Sequence, residues 1–375
     1  MKKDITVKPF FKKALYGLYL FFIVFILLET ALRIYNPFHF RLKGDSIVLP
    51  VNQKIIIANH INPKLDSIIT NTRNTLGFRG PELPANAANA LTIITIGGST
   101  TECHFLSDNK TWPFLLEKSL DSSFNNVWIN NAGLDGHSTF GHIVLLNDYI
   151  KKIKPAVALF LIGINDVEME QPSFHDKLNT RGAYADFKHY IFENSEVLNL
   201  ILNIVRGGRA QKFNNTTNKM MALGNNDLLT LSEETIQKRM VYQKRFLTGF
   251  RKRLAQIADT CSHYQITPVF ITQPDQFGAG TDSITGANLE LYRLHDDING
   301  KLEWRLLELY NDVTRETGQG KNVLVIDLAR LLPKDSRYFY DNSHFTNEGA
   351  NKVASLVNEK LQPMLLQKFP ALIKK

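Results

Sequence analysis

The stretch TIITIGGSTTE, residues Thr92 to Glu102, joins a run of apolar and β-branched residues to two glycines, a serine and two threonines. The run predicts a buried strand, and the paired glycines predict a sharp turn with an accessible backbone. Taken alone, the pattern favours an ordinary strand-to-helix loop in which Ser99 caps the helix. The choice between a capping serine and a reactive serine therefore depends on the rest of the chain.

Other apolar runs along the chain have the same strand character. They are NVWINNAG (126–133), AVALFLIG (156–163), ITPVFITQ (266–273) and NVLVID (322–327). Patterns typical of helices lie at 112–120, 140–152, 233–264, 287–317 and 348–367. Continuous apolar strands that alternate with helices favour a parallel sheet covered on both faces. The sequence therefore predicts an α/β fold, a three-layer α/β/α sandwich with a mostly parallel five-stranded sheet.

Composition narrows the possible classes of protein. The chain has 375 residues, 44% hydrophobic and 21% charged, which allows one large α/β domain with additions or two smaller domains. Its only cysteines are Cys103 and Cys261, which excludes a disulfide framework and a cysteine-based zinc site. The net charge of +8 comes without a basic stripe interleaved with aromatic residues, so no nucleic-acid partner is predicted. This charge fits proximity to anionic lipid or to an acidic polymer.

The amino-terminal region contains a long apolar segment. Residues 14–28 carry no charge, and the segment continues past Glu29 to Tyr35, which gives about 33 Å of helix, enough to cross a bilayer. The alternative is a cleaved signal peptide, but Glu29 occupies the position that a cleavage site would need to be small. More basic residues precede the segment than follow it, so we expect a single-pass anchor with a cytoplasmic amino terminus and an exported remainder.

The predicted organisation of the chain has four parts and one insertion. The parts are a basic cytoplasmic tail at 1–13, a transmembrane helix at 14–35, a stalk or N-terminal extension at 36–90 and the main domain at 91–375. Residues 167–230 break the alternation of strands and helices and are too long for a plain loop, so we interpret them as an insertion and a candidate lid. In the extension, we expect Arg79 to form an anchoring ion pair.

Polar, glycine-rich stretches follow several of the predicted strands. Since the carboxyl ends of parallel strands meet at one edge of a sheet, the stretches NAGLDGHS, GIND and YDNSHFTNEG are expected to converge on Ser99. Ester hydrolysis through a serine needs a base and a group that orients the base. His344 is the candidate base, and Asp341 can reach its Nδ1 from three residues earlier, which leaves Nε2 for Ser99.

A serine hydrolase also needs donors for the oxyanion. We expect these to be the backbone N–H groups of Ser99 and Gly136 and the side-chain amide of Asn165. A turn-forming role would explain Asn165 equally well if it stood alone. Its position at a predicted strand end, beside the other polar stretches, favours the catalytic interpretation.

Other constellations are weaker candidates. Asp186 and His189 repeat the acid–base spacing, but they lie in the insertion and off the sheet. His137 and His142, with Asp135, match none of the usual zinc spacings, so no metal site is predicted. The glycines match neither a P-loop nor a dinucleotide fingerprint. The sequence therefore predicts no cofactor.

These stretches together resemble the SGNH (GDSL-type) hydrolase family of esterases and acyl-transferring relatives. GGST, NAGLDG, GIND and DNSH match its first, second, third and fifth blocks, in the family's order, across most of Thr92 to Leu366. The resemblance implies a flavodoxin-like fold, a triad of Ser99, His344 and Asp341, and an oxyanion hole of Ser99, Gly136 and Asn165. One departure is a glycine at position 98, where the family usually has the aspartate of Gly-Asp-Ser. That aspartate is not a triad member, so the departure concerns loop support and substrate preference.

Three functions fit these features. The first is a membrane-anchored serine esterase that removes acyl groups from a carbohydrate or lipid-linked substrate. The second is an O-acyltransferase on a cell-envelope glycan, which would need a donor or a partner that spans the membrane several times. The third is a catalytically inactive binding module on the hydrolase fold, but the full set of triad and oxyanion residues favours an enzyme.

Overall fold

A computed structural model of the chain describes residues 9–35, 37, 42–43, 46–47, 49–60, 62–173, 175–176, 194–205 and 227–374. Asp186 and His189, and much of the insertion predicted at 167–230, lie outside these residues. The chain divides into two compact units, residues 1–50 with 179–219 and residues 51–178 with 220–375. The predicted stalk is thereby divided after Pro50.

The strands are β1 Leu42–Lys43, β2 Ser46–Ile47, β3 Gln53–Ala58, β4 Ile68–Arg73, β5 Leu91–Gly97, β6 Val127–Asn131, β7 Val157–Ile162, β8 Thr267–Thr272, β9 Arg293–His295, β10 Ile298–Asn299 and β11 Leu324–Ile326. The helices are α1 Pro9–Ile34, α2 Ser99–Glu102, α3 Trp112–Leu120, α4 Thr139–Leu145, α5 Lys151–Ile153, α6 Glu196–Val205, α7 Glu233–His263, α8 Gly300–Lys321, α9 Leu328–Leu331 and α10 Asn347–Lys368. A π-helical turn, Leu146–Ile150, links α4 to α5.

The centre of the larger unit is a five-stranded sheet with the order β11-β8-β7-β5-β6, in which every neighbouring pair is parallel. The predicted α/β fold with a five-stranded sheet is confirmed. Because β5 lies between β6 and β7, the chain runs from β5 to one side and, after β6, crosses to the other side, which makes the boundary between β5 and β7 a switch point. Such a switch point leaves a crevice at the carboxyl ends of the strands, where α/β proteins bind ligands. Ser99 is the second residue after β5.

Helices cover the sheet on both faces. On one face, Val157, Leu159 and Leu161 of β7 join a core cluster with residues of α3 and α10. The alternating Phe160 points to the other face and packs edge-on against Phe270 of β8, with ring centroids 6.2 Å apart. Helices α4, α7 and α8 pack together on that side. Burial on both faces explains why β5 and β7 are apolar without polar alternation.

Helix α8 begins later than the sequence predicts. The pattern at 287–317 suggested one helix, but the structure places α8 at Gly300–Lys321 and puts the antiparallel pair β9–β10 before it. The side chain of Asn299 accepts a hydrogen bond from the Leu302 backbone N–H at 3.0 Å, which caps the helix there. The apolar residues before the cap pack around Phe277 in a small cluster of their own. Their spacing therefore imitated a helix.

The extension between residues 51 and 82 belongs to the larger unit. Strands β3 and β4 form an antiparallel hairpin, and Lys64 in its loop donates to the carbonyls of Ser336 and Phe339 at 2.9 and 3.0 Å. Farther along, Arg79 is buried and lies 2.8 Å from the Asp108 carboxylate. The ion pair predicted for Arg79 is confirmed.

In the smaller unit, α1 carries the apolar segment found in the sequence. Residues 11–34 form a helix that is long and apolar enough to cross a membrane. At 1.5 Å per residue, this segment is about 36 Å long. A membrane anchor and a signal sequence both have these properties.

Candidate active site

The end of β5 explains the two glycines of the opening stretch. A Cβ at position 97 would lie 2.2 Å from Thr101 Oγ1 and 2.9 Å from the Leu161 carbonyl oxygen. A Cβ at position 98 would lie 2.2 Å from Asn165 Nδ2. The backbone of β7 therefore excludes a side chain at position 97, and a side chain at position 98 would have to displace the Asn165 amide. The family's usual aspartate could not stand at position 98 without displacing the Asn165 amide.

Ser99, His344 and Asp341 form one hydrogen-bonded chain. His344 Nε2 lies 2.7 Å from Ser99 Oγ. His344 Nδ1 lies 2.8 Å from Asp341 Oδ2 and 3.0 Å from Oδ1. The same carboxylate accepts the backbone N–H groups of Ser343 and His344 at 3.0 and 2.8 Å. The structure therefore brings the three predicted triad residues together in the predicted order.

The acid and the base shift each other's pKa. Desolvation raises the pKa of Asp341, but the charge of His344 and the hydrogen bonds from His344 and Ser343 outweigh it, so the pKa lies below its ordinary value. Desolvation lowers the pKa of His344, but the charge and hydrogen bond of Asp341, with smaller contributions from Asp135 and Glu102, raise it above 6.5. The raised pKa makes the His344 imidazole a stronger base.

Aromatic rings cover the His344 side of the site. The Tyr340 ring is stacked on the His344 imidazole, with centroids 5.4 Å apart and planes inclined by 11°. Phe105, which is 43% exposed, meets Tyr340 edge-on at 6.4 Å. Stacking restricts the orientation of the imidazole, and the exposed Phe105 offers an apolar surface beside it.

Asn165 lies in the turn after β7, and contacts of Asn165 and of its neighbour Asp166 hold this turn in place. Its Nδ2 donates to the His137 carbonyl at 3.0 Å, which leaves the second amide hydrogen for another acceptor. The next residue, Asp166, is buried and accepts the Thr139 backbone N–H at 3.2 Å. Arg253 lies 3.2 Å from the same carboxylate, and burial nevertheless raises the Asp166 pKa to about 6.

Gly136 lies in the loop after β6, with a φ of +67° that favours glycine. The preceding residue is tied to α2, because Glu102 Oε2 accepts the Asp135 backbone N–H at 2.7 Å. Glu102 Oε1 in turn lies 2.6 Å from Arg73 Nη2, and both side chains are less than a tenth exposed. An ion pair between the extension and α2 therefore holds the loop that carries Gly136.

Glu102 and Arg73 form an ion pair beside the candidate site that the sequence analysis did not identify. Glu102 stands in the opening stretch, three residues after Ser99, which places it on the same short helix. Its partner is 29 residues away on a different element. The only sequence signal was a carboxylate in an otherwise uncharged strand-to-helix turn.

Within the described ranges, no group of three or more His, Cys, Asp and Glu residues is arranged to hold a metal ion. The rings of His137 and His142 lie 6.1 Å apart, and burial lowers the His142 pKa to about 4. Gln273 at the end of β8 is also buried, and its Oε1 accepts the Thr100 hydroxyl at 3.1 Å. The contact between Gln273 and Thr100 therefore joins the end of β8 to α2.

Comparison with known proteins gives a family and several similar structures. Residues 95–352 match the GDSL-like Lipase/Acylhydrolase family. None of the curated proteins compared matches this chain. The lipase/acylhydrolase from Enterococcus faecalis is 15% identical over 73% of this chain and 96% of its own, with a TM-score of 0.39. The acetyl xylan esterase AlAXEase is 13% identical over 71% of this chain and 96% of its own, with a TM-score of 0.39. A mutant of Axe2, an acetyl-xylooligosaccharide esterase from Geobacillus Stearmophilus, is 12% identical over 72% of this chain and 93% of its own, with a TM-score of 0.40.

Ser99 lies at the switch point of a parallel α/β sheet, where α/β proteins bind ligands. The family match spans more than half of the chain, so the chain belongs to the GDSL-like lipase/acylhydrolase family. The resemblance to SGNH hydrolases found in the sequence is confirmed, and the protein is a hydrolase of ester bonds.

Proposed function

We propose that the protein is a membrane-anchored serine esterase in which Ser99 is the nucleophile, His344 the general base and Asp341 the residue that orients the base. One observation carries this proposal. Ser99 Oγ, His344 and Asp341 are linked by contacts of 2.7 and 2.8 Å at the switch point of the sheet. A nucleophile beside a base that a third group orients is the arrangement that activates a serine.

The reaction has two halves. Ser99 Oγ attacks the ester carbonyl carbon while its proton moves to His344 Nε2, which gives a tetrahedral oxyanion and an imidazolium that Asp341 stabilises. The C–O bond to the leaving alcohol then breaks, and the alkoxide takes the proton from Nε2. Water attacks the acyl-enzyme in the same way, with its proton on Nε2 and then on Ser99 Oγ. An acid and free enzyme are released.

The negative oxygen of each tetrahedral intermediate needs fixed donors. We assign this role to the backbone N–H groups of Ser99 and Gly136 and to the free hydrogen of Asn165 Nδ2. The close approach of Asn165 to Gly98 supports the assignment, because it puts the amide next to the residue before the nucleophile. The contact of Glu102 with the Asp135 N–H supports it for the loop of Gly136.

The substrate is an acyl ester, and we propose an O-acyl group on a carbohydrate or lipid-linked molecule. The proposed topology supports this class, since a domain exported beside a membrane meets envelope glycans and lipids. The apolar segment at 11–34 is long enough to cross a bilayer, and Lys2, Lys3 and Lys8 stand before it. Basic residues on that flank favour a cytoplasmic amino terminus.

An organophosphonate probe tests the nucleophile. We expect the probe to label Ser99 of the full-length protein, as read by peptide mass spectrometry, and to abolish hydrolysis of p-nitrophenyl acetate. Ser99→Ala should lose both the label and nearly all activity, whereas Ser122→Ala, a change at an exposed serine, should keep both. Label on another residue, or full activity in Ser99→Ala, would refute the mechanism.

Protease accessibility tests the topology. In spheroplasts, an added protease should digest the domain that follows the apolar segment, and the amino terminus of the mature chain should still precede that segment. Protection of the domain would contradict export. A mature chain that starts after Leu28 would contradict the anchor while leaving export intact.

A further inference from the structure

The smaller unit contains a contact that couples the end of α1 to α6. The Glu29 carboxylate accepts the backbone N–H groups of Glu196 and Val197, each at 3.1 Å, and the Ser195 hydroxyl at 2.9 Å. These are amino-terminal donors of α6, which have no partner within their own helix. Glu29 therefore caps α6 from a different part of the chain.

Glu29 is the acidic residue in the apolar helix, and its charge is compensated there. Arg33 Nη2 lies 2.8 Å from Glu29 Oε1, and it also donates to the Asn194 carbonyl. Glu29 is fifteen residues beyond Ala14, about 22 Å along the helix and toward the far side of the bilayer's hydrocarbon thickness of about 30 Å. The cap therefore lies near the level at which the helix would leave the hydrocarbon, where Arg33 can extend its charge to the headgroups.

Helix α6 buries Val197 and Asn199 and exposes other apolar residues. Asn199 is 5% exposed, whereas Ile201, Ile204 and Val205 are 52%, 61% and 48% exposed. The exposed residues have the i, i+3, i+4 spacing of one helix face. Apart from Glu196, Asn199 and Asn203, α6 is apolar, and a helix that is apolar on most sides is covered by protein or by lipid. An apolar face of this kind is the one a lipid surface would cover.

We infer that the Ile201, Ile204 and Val205 face of α6 binds the lipid bilayer, in the interface where α1 emerges. The inference rests on the proposed anchor, since it takes α1 as the membrane reference. We choose lipid as the occupant of this face because Glu29 and Arg33 hold the start of α6 at the end of the apolar segment of α1. Helix α6 is then a second attachment to the membrane.

Membrane depth measurements on spin-labelled variants test the inference. The full-length protein is reconstituted in vesicles of phosphatidylcholine and phosphatidylglycerol, with single nitroxide labels at Ile201→Cys, Ile204→Cys or Val205→Cys. The native Cys103 and Cys261 are buried, and labelling of the unmutated protein provides the background. Leu20→Cys in α1 is the lipid reference, and Lys238→Cys, at an exposed position of α7, is the water reference.

We expect oxygen to relax the labels on α6 more strongly than a water-soluble nickel complex, as at position 20 and opposite to position 238. Labels on α6 that behave like position 238 would overturn the inference. Labels that neither reagent reaches would also overturn it and would indicate a protein partner or a second copy. If position 20 itself reads as water, the proposed anchor fails. Hydrolysis of p-nitrophenyl acetate by each labelled variant reports separately on the folded esterase.

Discussion

The two sides of the candidate site are held in different ways. On the proposed oxyanion side, the side chains of Arg73, Arg79 and Asp166 are less than a tenth exposed and reach residues from 23 to 87 positions away in the chain. On the acid–base side, Asp341 and His344 are 31% and 27% exposed and are three residues apart. The oxyanion side is therefore a product of tertiary packing, whereas the acid–base side is a local loop.

This difference follows from what each side must do. Oxyanion donors stabilise the transition state only when they are fixed before charge develops, so their supports need to be rigid. The base moves a proton between a hydroxyl, a leaving group and water, and it needs orientation more than burial. The comparison predicts that changes on the acid–base side stop the reaction, while changes on the oxyanion side weaken it in steps.

The largest expected effect is on the acid–base side. His344→Ala should lower kcat by on the order of 10³-fold or more, since a triad acts as a unit. Asp341→Asn should cost less, because the imidazole stays in place. Steady-state hydrolysis of p-nitrophenyl acetate measures both. His189→Ala is the control, and a greater loss there than in His344→Ala would show that the other acid–base pair is the working one.

The next effect concerns the Asn165 amide. Asn165→Ala should lower kcat by roughly 10²–10³-fold with little change in KM, because the oxyanion exists only in the transition state. Asn165→Asp keeps the shape but removes the donor, so it should be at least as damaging. If KM rises while kcat is unchanged, Asn165 binds the substrate and is not an oxyanion donor.

A smaller effect is expected from the missing side chain at position 98. Gly98→Ala places a carbon 2.2 Å from Asn165 Nδ2, and the displaced amide should cost on the order of 10- to 10²-fold in kcat. Gly98→Asp should cost more, since its side chain is larger. Gly320→Ala is a matched control in open space. Unchanged kcat in Gly98→Ala would mean that the amide is not held against this turn.

The smallest effect is expected at Glu102. Removing its charge should lower the His344 pKa, since Glu102 contributes to raising it. Neutral imidazole is the base, so the acidic limb of kcat/KM should lie above pH 6.5 in the wild type and move to lower pH in Glu102→Gln. Loss of the Arg73 ion pair should also reduce kcat by about 10-fold through the Gly136 loop. Glu234→Gln changes an exposed residue and should alter neither kcat nor the acidic limb. An acidic limb at the same pH in Glu102→Gln as in the wild type would contradict the electrostatic role of Glu102.

Local patterns made much of this molecule predictable. The strands were visible because burial on both faces requires continuous apolar runs. The proposed triad was visible because Ser99 comes just after a strand, and Asp341 and His344 share one short polar block after the last strand. The contacts of Arg73 with Glu102 and of Glu29 with α6 were not visible, since their partners are 29 and more than 160 residues apart. The start of α8 was wrong because residues that pack around Phe277 imitate a helical spacing.

The contacts of the extension determine which proteolytic cuts after the proposed anchor would leave the candidate site intact. Lys64 holds the loop before His344, and Arg79 donates to the carbonyls of Glu102, Cys103 and Leu106 after Ser99. A cut close to residue 50 would separate the proposed anchor from a fragment that retains both clamps. A cut between residues 82 and 90 would separate the sheet from both clamps. We therefore expect only the first cleavage to leave an active esterase, which α6 would still hold at the bilayer through the lipid contact inferred above.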